Sequence, residues 1–453
     1  MVLFGALACG LLLFVNRFIG GNLLYPPAFL AAVWTAALGG VWLAGDRFVP
    51  TGPESVGIFL MGSLAFSLGG ALVMGLFGRR RKLSTNTIFR RKPVAIDRLL
   101  SIGLFVMVLY LPVRTLRLRE LVERGAGEPF APLTAAFWYA VRRGFLEEDV
   151  AGGTVGLLGL LDNVLVLSIF LAILAVQQDL RAHRTRARTI AIVVLAFFLQ
   201  ISTASRSSAL GLVFGLVGAA WVETEKISIR GVILAGLGGA ILFSMAAITV
   251  GQVGGSEDNP WALVRALFDS ATFYLLSPIV AFDGWLQDPG AVEPSWFIGR
   301  SISQILARLG VESTLPSRHL EYVEVSSNEW MNVYTMYFAY VPHHGLLGTA
   351  VILFGLGVVF GICYLSARHG NPRARFLLTC TLGPLFMSIF NEQLLLNLSF
   401  YFKAYLFSLL VFGLPIGRSA FRRLVSGQNP PPMEGVWESV SSPRGAPARD
   451  RRE

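Results

Sequence analysis

The run Asn332-Val333-Tyr334-Thr335-Met336-Tyr337-Phe338-Ala339-Tyr340-Val341-Pro342-His343-His344-Gly345-Leu346-Leu347-Gly348 leads into an apolar stretch carrying Gly355, Gly357 and Gly361. That stretch ends in a basic turn between Arg368 and Arg375, whereas the residues before Asn332 belong to a long polar segment beginning at 251. Polar residues, then about twenty apolar ones, then clustered arginines describe a helix that leaves water on one side of a bilayer and meets it again on the other. The reading of the rest of the chain follows from this one.

Of the 453 residues, 54% are hydrophobic and only 15% charged, and the mean hydropathy is +0.61. A soluble chain of this length needs far more charge on its surface, so the composition specifies a polytopic membrane protein. The net charge of +10 does not point to nucleic acid, because the basic residues gather in short loops between apolar runs and in the tail. Cys9, Cys363 and Cys380 all fall inside apolar runs, without disulfide or metal-ligand spacing, and read as small core residues.

Apolar runs near 2–16, 26–44, 56–77, 98–113, 151–177, 189–204, 208–222, 231–250, 345–366, 374–391 and 395–416 predict about eleven spans, all helical because lipid cannot satisfy backbone groups. The basic loops orient them. Arg79 to Lys82 with Arg90 to Lys92, Arg181 to Arg188, Lys226 with Arg230, Arg368 to Arg375, and the tail all fall on one side if the N-terminus is outside and the C-terminus cytoplasmic. The expected organisation is one transmembrane domain over 1–423, with a disordered, Pro- and Ser-rich cytoplasmic tail over 424–453. Segments 114–150, 202–208 and 251–344 then lie outside, the last being long enough to require order of its own. Within it, Trp261 to Trp285 reads as a helix lying partly in the interface, with Trp261, Trp285, Trp296 and Trp330 as candidate anchors.

The candidates for chemistry are those placed on the outer side. Arg206, between Ser205 and Ser207 at the junction of two spans, offers a planar fork of donors suited to phosphate oxygens, and the following helix start adds free amides. The alternative reading is an arginine snorkelling to the interface beside capping serines. Arg114, Arg117 and Arg119 form either a solvated amphipathic helix or a second set of anion donors, and Arg300 is a weaker candidate of the same kind. His343 and His344 stand where a general base could face a substrate, or where an interfacial pair could open a helix. Glu392, in the turn between the last two spans, is a carboxylate alternative. Asp162, Asn163 and Lys403 fall inside apolar runs and suit either function or a buried structural pair. The P-loop, HExxH and GxSxG patterns do not occur.

Taken in order, Ser205-Arg206-Ser207 before a Gly-rich span, Pro294-Ser295-Trp296-Phe297-Ile298-Gly299, an amphipathic stretch at 301–309, Asn332-Val333-Tyr334-Thr335 and the Gly345-Leu346-Leu347-Gly348 helix start resemble the bacterial oligosaccharide repeat-unit polymerases, the O-antigen polymerase group. The resemblance covers about 200–365 in motif detail and the remainder in hydropathy. It implies an all-α glycosyltransferase of the GT-C broad type in the bacterial plasma membrane. Its substrates would be undecaprenyl-pyrophosphate-linked oligosaccharides, with no cofactor, and its partners membrane lipids and a chain-length regulator and flippase of the same pathway.

On this resemblance Arg206, His344, His343 and Glu392 would be catalytic, and Arg114, Arg117, Ser205, Ser207, Arg300, Asn332, Tyr334 and Thr335 would bind substrate. Where the family often has an acidic residue before the helix-start glycine, this chain has His343-His344, so a role for that acid does not carry over. The related ligases place a histidine before the asparagine matched by Asn332; Met331 stands there instead. A glycan ligase, or a lipid-linked glycan flippase of a different class, are the alternatives.

Overall fold

The computed structural model describes residues 1–78, 93–125, 141, 161, 163–203, 206–225, 260–289, 323–326, 329–331, 333–395 and 398–413. The expected span at 231–250, the amphipathic stretch at 301–309 and the tail at 424–453 lie outside them. The described chain is mostly helical and membrane-embedded. In chain order its helices are α1 (Val2–Gly20), α2 (Pro26–Ala44), α3 (Pro53–Phe77), α4 (Pro93–Gly125), α5 (Asn163–Arg181), α6 (Ala187–Ile201), α7 (Arg206–Thr224), α8 (Pro260–Gln287), α9 (Val341–Arg368), α10 (Pro372–Met387) and α11 (Leu398–Phe412). Among the described residues, α1 to α5 and α9 carry segments long and apolar enough to cross a membrane, while α6, α7 and α11 are apolar but shorter.

Local chemistry sets several helix ends. Proline occupies the first turn of α2, α3, α9 and α10, where the missing N–H costs nothing. Asn371 caps α10 by accepting from the Arg373 and Ala374 amides. The chain after α1 turns through Gly21 at φ +74. At 33 residues α4 is about 50 Å long, more than the roughly 30 Å of a hydrocarbon core, so part of it stands beyond the bilayer.

Two apolar clusters form the interior. One joins α1, α2, α3, α8 and α9; the other joins α4, α5, α6 and α11. Helices α7 and α10 belong to both. Leu210, Phe214 and Leu382 face the first cluster, whereas Leu212, Phe376 and Cys380 face the second. Phe214 stacks on Phe386 at 3.7 Å between ring centroids, tying the two helices at this seam.

Helix α8 was expected to lie partly in the interface, with Trp285 as an anchor. Its C-terminal half is instead core: Leu276 packs on Gly40 of α2, Phe282 lies by Phe59 and Tyr337, and Trp285 is buried edge-on to Phe338. Trp330 is exposed, on a two-stranded antiparallel hairpin of β1 (Val323–Ser326) and β2 (Glu329–Met331) that pairs Glu324 with Trp330. The hairpin is held to the α2–α3 connection by Val49 N–H donating to Val325 O at 3.0 Å and Ser326 Oγ donating to Arg47 O at 2.7 Å.

Polar contacts collect at two opposite ends of the bundle. One end holds Arg186 and Arg188 on Asp97, Arg181 on Glu223, and Arg375 on Glu223 and Glu225. The other holds Arg47 on Asp269, the Gly52 amide on Asp283, Arg114 on Ser202 and Tyr340 on Glu392. Helix lengths force this partition, and the expected basic loops that are described fall on the first end.

Candidate functional site

Arg114 was expected just past a span, on either a solvated helix or an anion site. It lies inside α4, two residues after Pro112, and is only 1% exposed. Its Nε donates to Ser202 Oγ at 2.9 Å and its Nη2 to Ser202 O at 2.6 Å, both groups being buried. Ser202 follows the last turn of α6, whose end would otherwise leave carbonyls without donors. Arg117, 5% exposed, pairs with Glu120 at 2.7 Å, while Arg119 is well exposed and pairs with Glu123. Solvation therefore describes Arg119 but not Arg114 or Arg117. Arg206 and Ser207 open α7, directly after the Ser202 junction. Ser205, Arg300 and Asn332 lie outside the described residues.

The second group centres on the segment before α9. Tyr334, 3% exposed, stacks on Phe338 at 4.2 Å, and Thr335 is 1% exposed. The Met336 amide donates to Ser388 O at 2.9 Å, laying this segment along the turn after α10. In that turn Glu392 is fully buried, and its Oε1 accepts from Tyr340 Oη at 2.5 Å and from the Leu394 and Leu395 amides at 2.7 Å each. Three donors on one oxygen give Glu392 a positioning role in closing the turn. Burial first, and then the neighbouring Glu392, push the Tyr340 hydroxyl well above the usual phenol range.

His343 and His344 sit on a single turn that breaks from the rest of α9 at Gly345 (φ 62, ψ −174), a conformation that only glycine adopts without strain. Their rings are 6.2 Å apart and nearly perpendicular. His343 Nδ1 is buried without a hydrogen-bond partner among the described residues, as are the hydroxyls of Thr335 and Ser388.

A cavity of about 310 Å³ opens among α5, α6, α7, α10 and α11. Thr203, next to Ser202, and Gln393, next to Glu392, both line it, together with Gln200 and Ser399. Its walls run along α5 from Leu165 to Ile173, and along α7 and α10 past Gly211, Gly215 and Gly383. Gln200 is held by its Nε2 donating to Leu165 O at 2.8 Å and Ser168 Oγ at 3.1 Å; deeper, Gln177 donates to Thr379 at 2.9 Å. The structure thus brings Arg114 to Ser202 and Glu392 to Tyr340, and the neighbours Thr203 and Gln393 line the same cavity.

Of the polar lining, Gln200 and Ser399 were not singled out from the sequence. Gln200 stands out there only as an amide within an apolar run, a weak signal because such residues often pair between helices without any further role.

No family model matches the chain, and no curated protein or solved structure is similar to it. What fold and site define is a class: a helical membrane protein with a cavity among its helices and, toward one end, the buried Arg114 and Arg117 and a histidine pair.

Proposed function

We propose that this protein is a membrane glycosyltransferase of the repeat-unit polymerase type, joining lipid-pyrophosphate-linked oligosaccharides on the outer face of a bacterial plasma membrane. On this reading the chain is an eleven-span bundle of the GT-C broad type. Its N-terminus is outside, and the end bearing Asp97, Glu223 and Arg375 is cytoplasmic. The observation that supports it most is the placement of Arg114. A guanidinium buried within an apolar helix bundle is costly unless it is paired, and here it braces the junction from which Arg206 starts α7, beside the cavity.

The acceptor hydroxyl attacks the anomeric carbon of the donor sugar. A C–O bond forms, the bond from that carbon to the pyrophosphate oxygen breaks, and the lipid pyrophosphate leaves with the electron pair. Arg206, at the start of α7, offsets the charge building on that oxygen. His343 or His344 takes the hydroxyl proton. Of the two, His343 has a buried ring nitrogen free of partners among the described residues. Glu392 holds Tyr340 and the turn rather than moving the proton.

The test is incubation of the purified protein, in lipid, with lipid-linked repeat units. A ladder of longer glycans is expected, and Arg206→Ala is expected to lose it. Absence of a ladder from a folded, lipid-embedded protein overturns the reading; a full ladder from the variant removes Arg206 from the chemistry.

A further inference from the structure

We infer that α5, α7 and α10 are clasped at the end bearing Arg181 and Arg375, and that this clasp closes the cavity there, so that water reaches it only from the opposite end. The closure holds whatever reaction the cavity serves. Glu223, in the last turn of α7, is the centre of the clasp. Its side chain is 3% exposed and takes two nitrogens of Arg181 from α5, Nε at 2.7 Å and Nη2 at 2.5 Å, with Arg375 Nη1 of α10 at 3.6 Å. Two residues on, Glu225 holds Arg375 Nη2 at 2.7 Å, and its carbonyl accepts from Asn22 of the α1–α2 turn at 2.9 Å. Carboxylates at the C-terminal end of a helix oppose its dipole, so α7 by itself gains nothing from them. What they stabilise is the junction of the helices they join.

A second tier lies four residues, or about 6 Å, further into the bundle. Gln177, one turn before Arg181, donates from Nε2 to Thr379 Oγ1 at 2.9 Å; Thr379, one turn after Arg375, donates to the Arg375 carbonyl at 3.0 Å. Thr379 is also part of the cavity wall, whereas Gln200, Thr203, Gln393 and Ser399 line the cavity at the other ends of their helices. The Thr379 hydroxyl is therefore engaged in tying α5 to α10 below the cavity. Helix α7 fits closely just above this tier. A Cβ on Gly218 would lie 3.0 Å from Leu382 Cδ1 and one on Gly215 would lie 3.0 Å from Ile173 Cδ1, whereas one on Gly211 would meet nothing within 4 Å. Among the described residues, passage through this end requires parting a bidentate ion pair, a second arginine and a buried amide–hydroxyl bond together. An alternating-access transporter would have to do so in every cycle.

The test uses the full-length protein in sealed vesicles, with its three cysteines replaced by alanine and Gly211→Cys as reporter, because Gly211 lines the cavity and has room for a side chain. The probe is a charged, membrane-impermeant methanethiosulfonate added to either side. His183→Cys marks the clasp side and Glu329→Cys the hairpin side, both positions being exposed. Gly211→Cys is expected to react from the Glu329 side alone. Adding Glu223→Gln and Gln177→Ala is expected to raise its reaction from the His183 side by about tenfold or more, the scale of losing hydrogen bonds between charged groups. An unchanged rate from the Glu329 side shows that this variant is folded. Should it fail to fold, Arg375→Gln, which leaves Arg181 on Glu223, is the milder variant and is expected to change the rate in the same direction.

Reaction of the parent reporter from the His183 side, reaction from neither side, or same-side reaction of the two markers overturns the inference. So does a folded clasp variant that stays closed to the His183 side. A protein that keeps this sidedness but extends no glycan loses the polymerase reading and not the clasp.

Discussion

At Arg114 the side chain contributes in two ways that a conservative change separates. Lysine keeps the charge but cannot donate from two fixed nitrogens to Ser202 Oγ and O, so Arg114→Lys is expected to lose both stability and glycan extension. Hydrogen bonds from a charged donor to buried partners suggest a loss of about 2 kcal/mol, readable as a lowered midpoint in thermal unfolding. A variant as stable and active as the parent would remove the brace from the argument. Gly345 makes a different demand. Any Cβ at φ 62, ψ −174 is strained by about 1–3 kcal/mol, so Gly345→Ala is expected to displace the His343–His344 turn and lower activity more than it lowers stability.

Tyr340 carries a pH prediction. Its folded-state hydroxyl titrates well above the phenol value, so above about pH 10 the unfolded chain gives up this proton while the folded chain keeps it. Stability from this group is full below that pH and falls as pH rises through it. Tyr340→Phe is expected to flatten that part of the stability–pH curve, measured by tryptophan-monitored unfolding.

Among the described elements, α3 and α9 pack backbone to backbone, and the contact is built from glycine. A Cβ on Gly69 would lie 2.1 Å from Phe354 O, and one on Gly357 would lie 2.1 Å from Phe66 O; in both cases the obstacle is backbone. Two helices meeting this closely gain dispersion along their whole length, the main attraction available where lipid removes the hydrophobic contrast. Gly357→Ala is therefore expected to cost about 1–3 kcal/mol, seen as a lower unfolding midpoint, while Gly355→Ala on the open face of the same helix stays neutral. Equal effects from the two would show that backbone proximity is not what holds α9. The spacing of these glycines is plain in the sequence, but many membrane helices share it. Only the position of Phe66 opposite Gly357 distinguishes a packing glycine from an idle one.

For the whole molecule, separation of the polar contacts into two ends yields a labelling test. His183, between α5 and α6, and Glu329, on the hairpin, are both exposed and belong to opposite ends. His183→Cys and Glu329→Cys are expected to react with a membrane-impermeant thiol reagent from opposite sides of sealed cells or vesicles, with Glu329→Cys reacting from outside. Same-side reaction would undo the orientation. The native cysteines interfere little, since Cys9 and Cys380 are buried and Cys363 is partly so.

Composition, apolar run lengths and basic loops were enough to specify a helical membrane protein and to place most of the described helices, because transfer into lipid is a local, additive property of consecutive residues. They could not show that Arg114 is buried, that one Glu392 oxygen is already taken by three donors, or that Thr203 and Gln393 line one cavity. Arg114 meets a partner 88 residues away and Tyr340 one 52 residues away. Such pairings, and the space left between them, depend on which helix faces which, and that was decided only when the two clusters closed along α7 and α10.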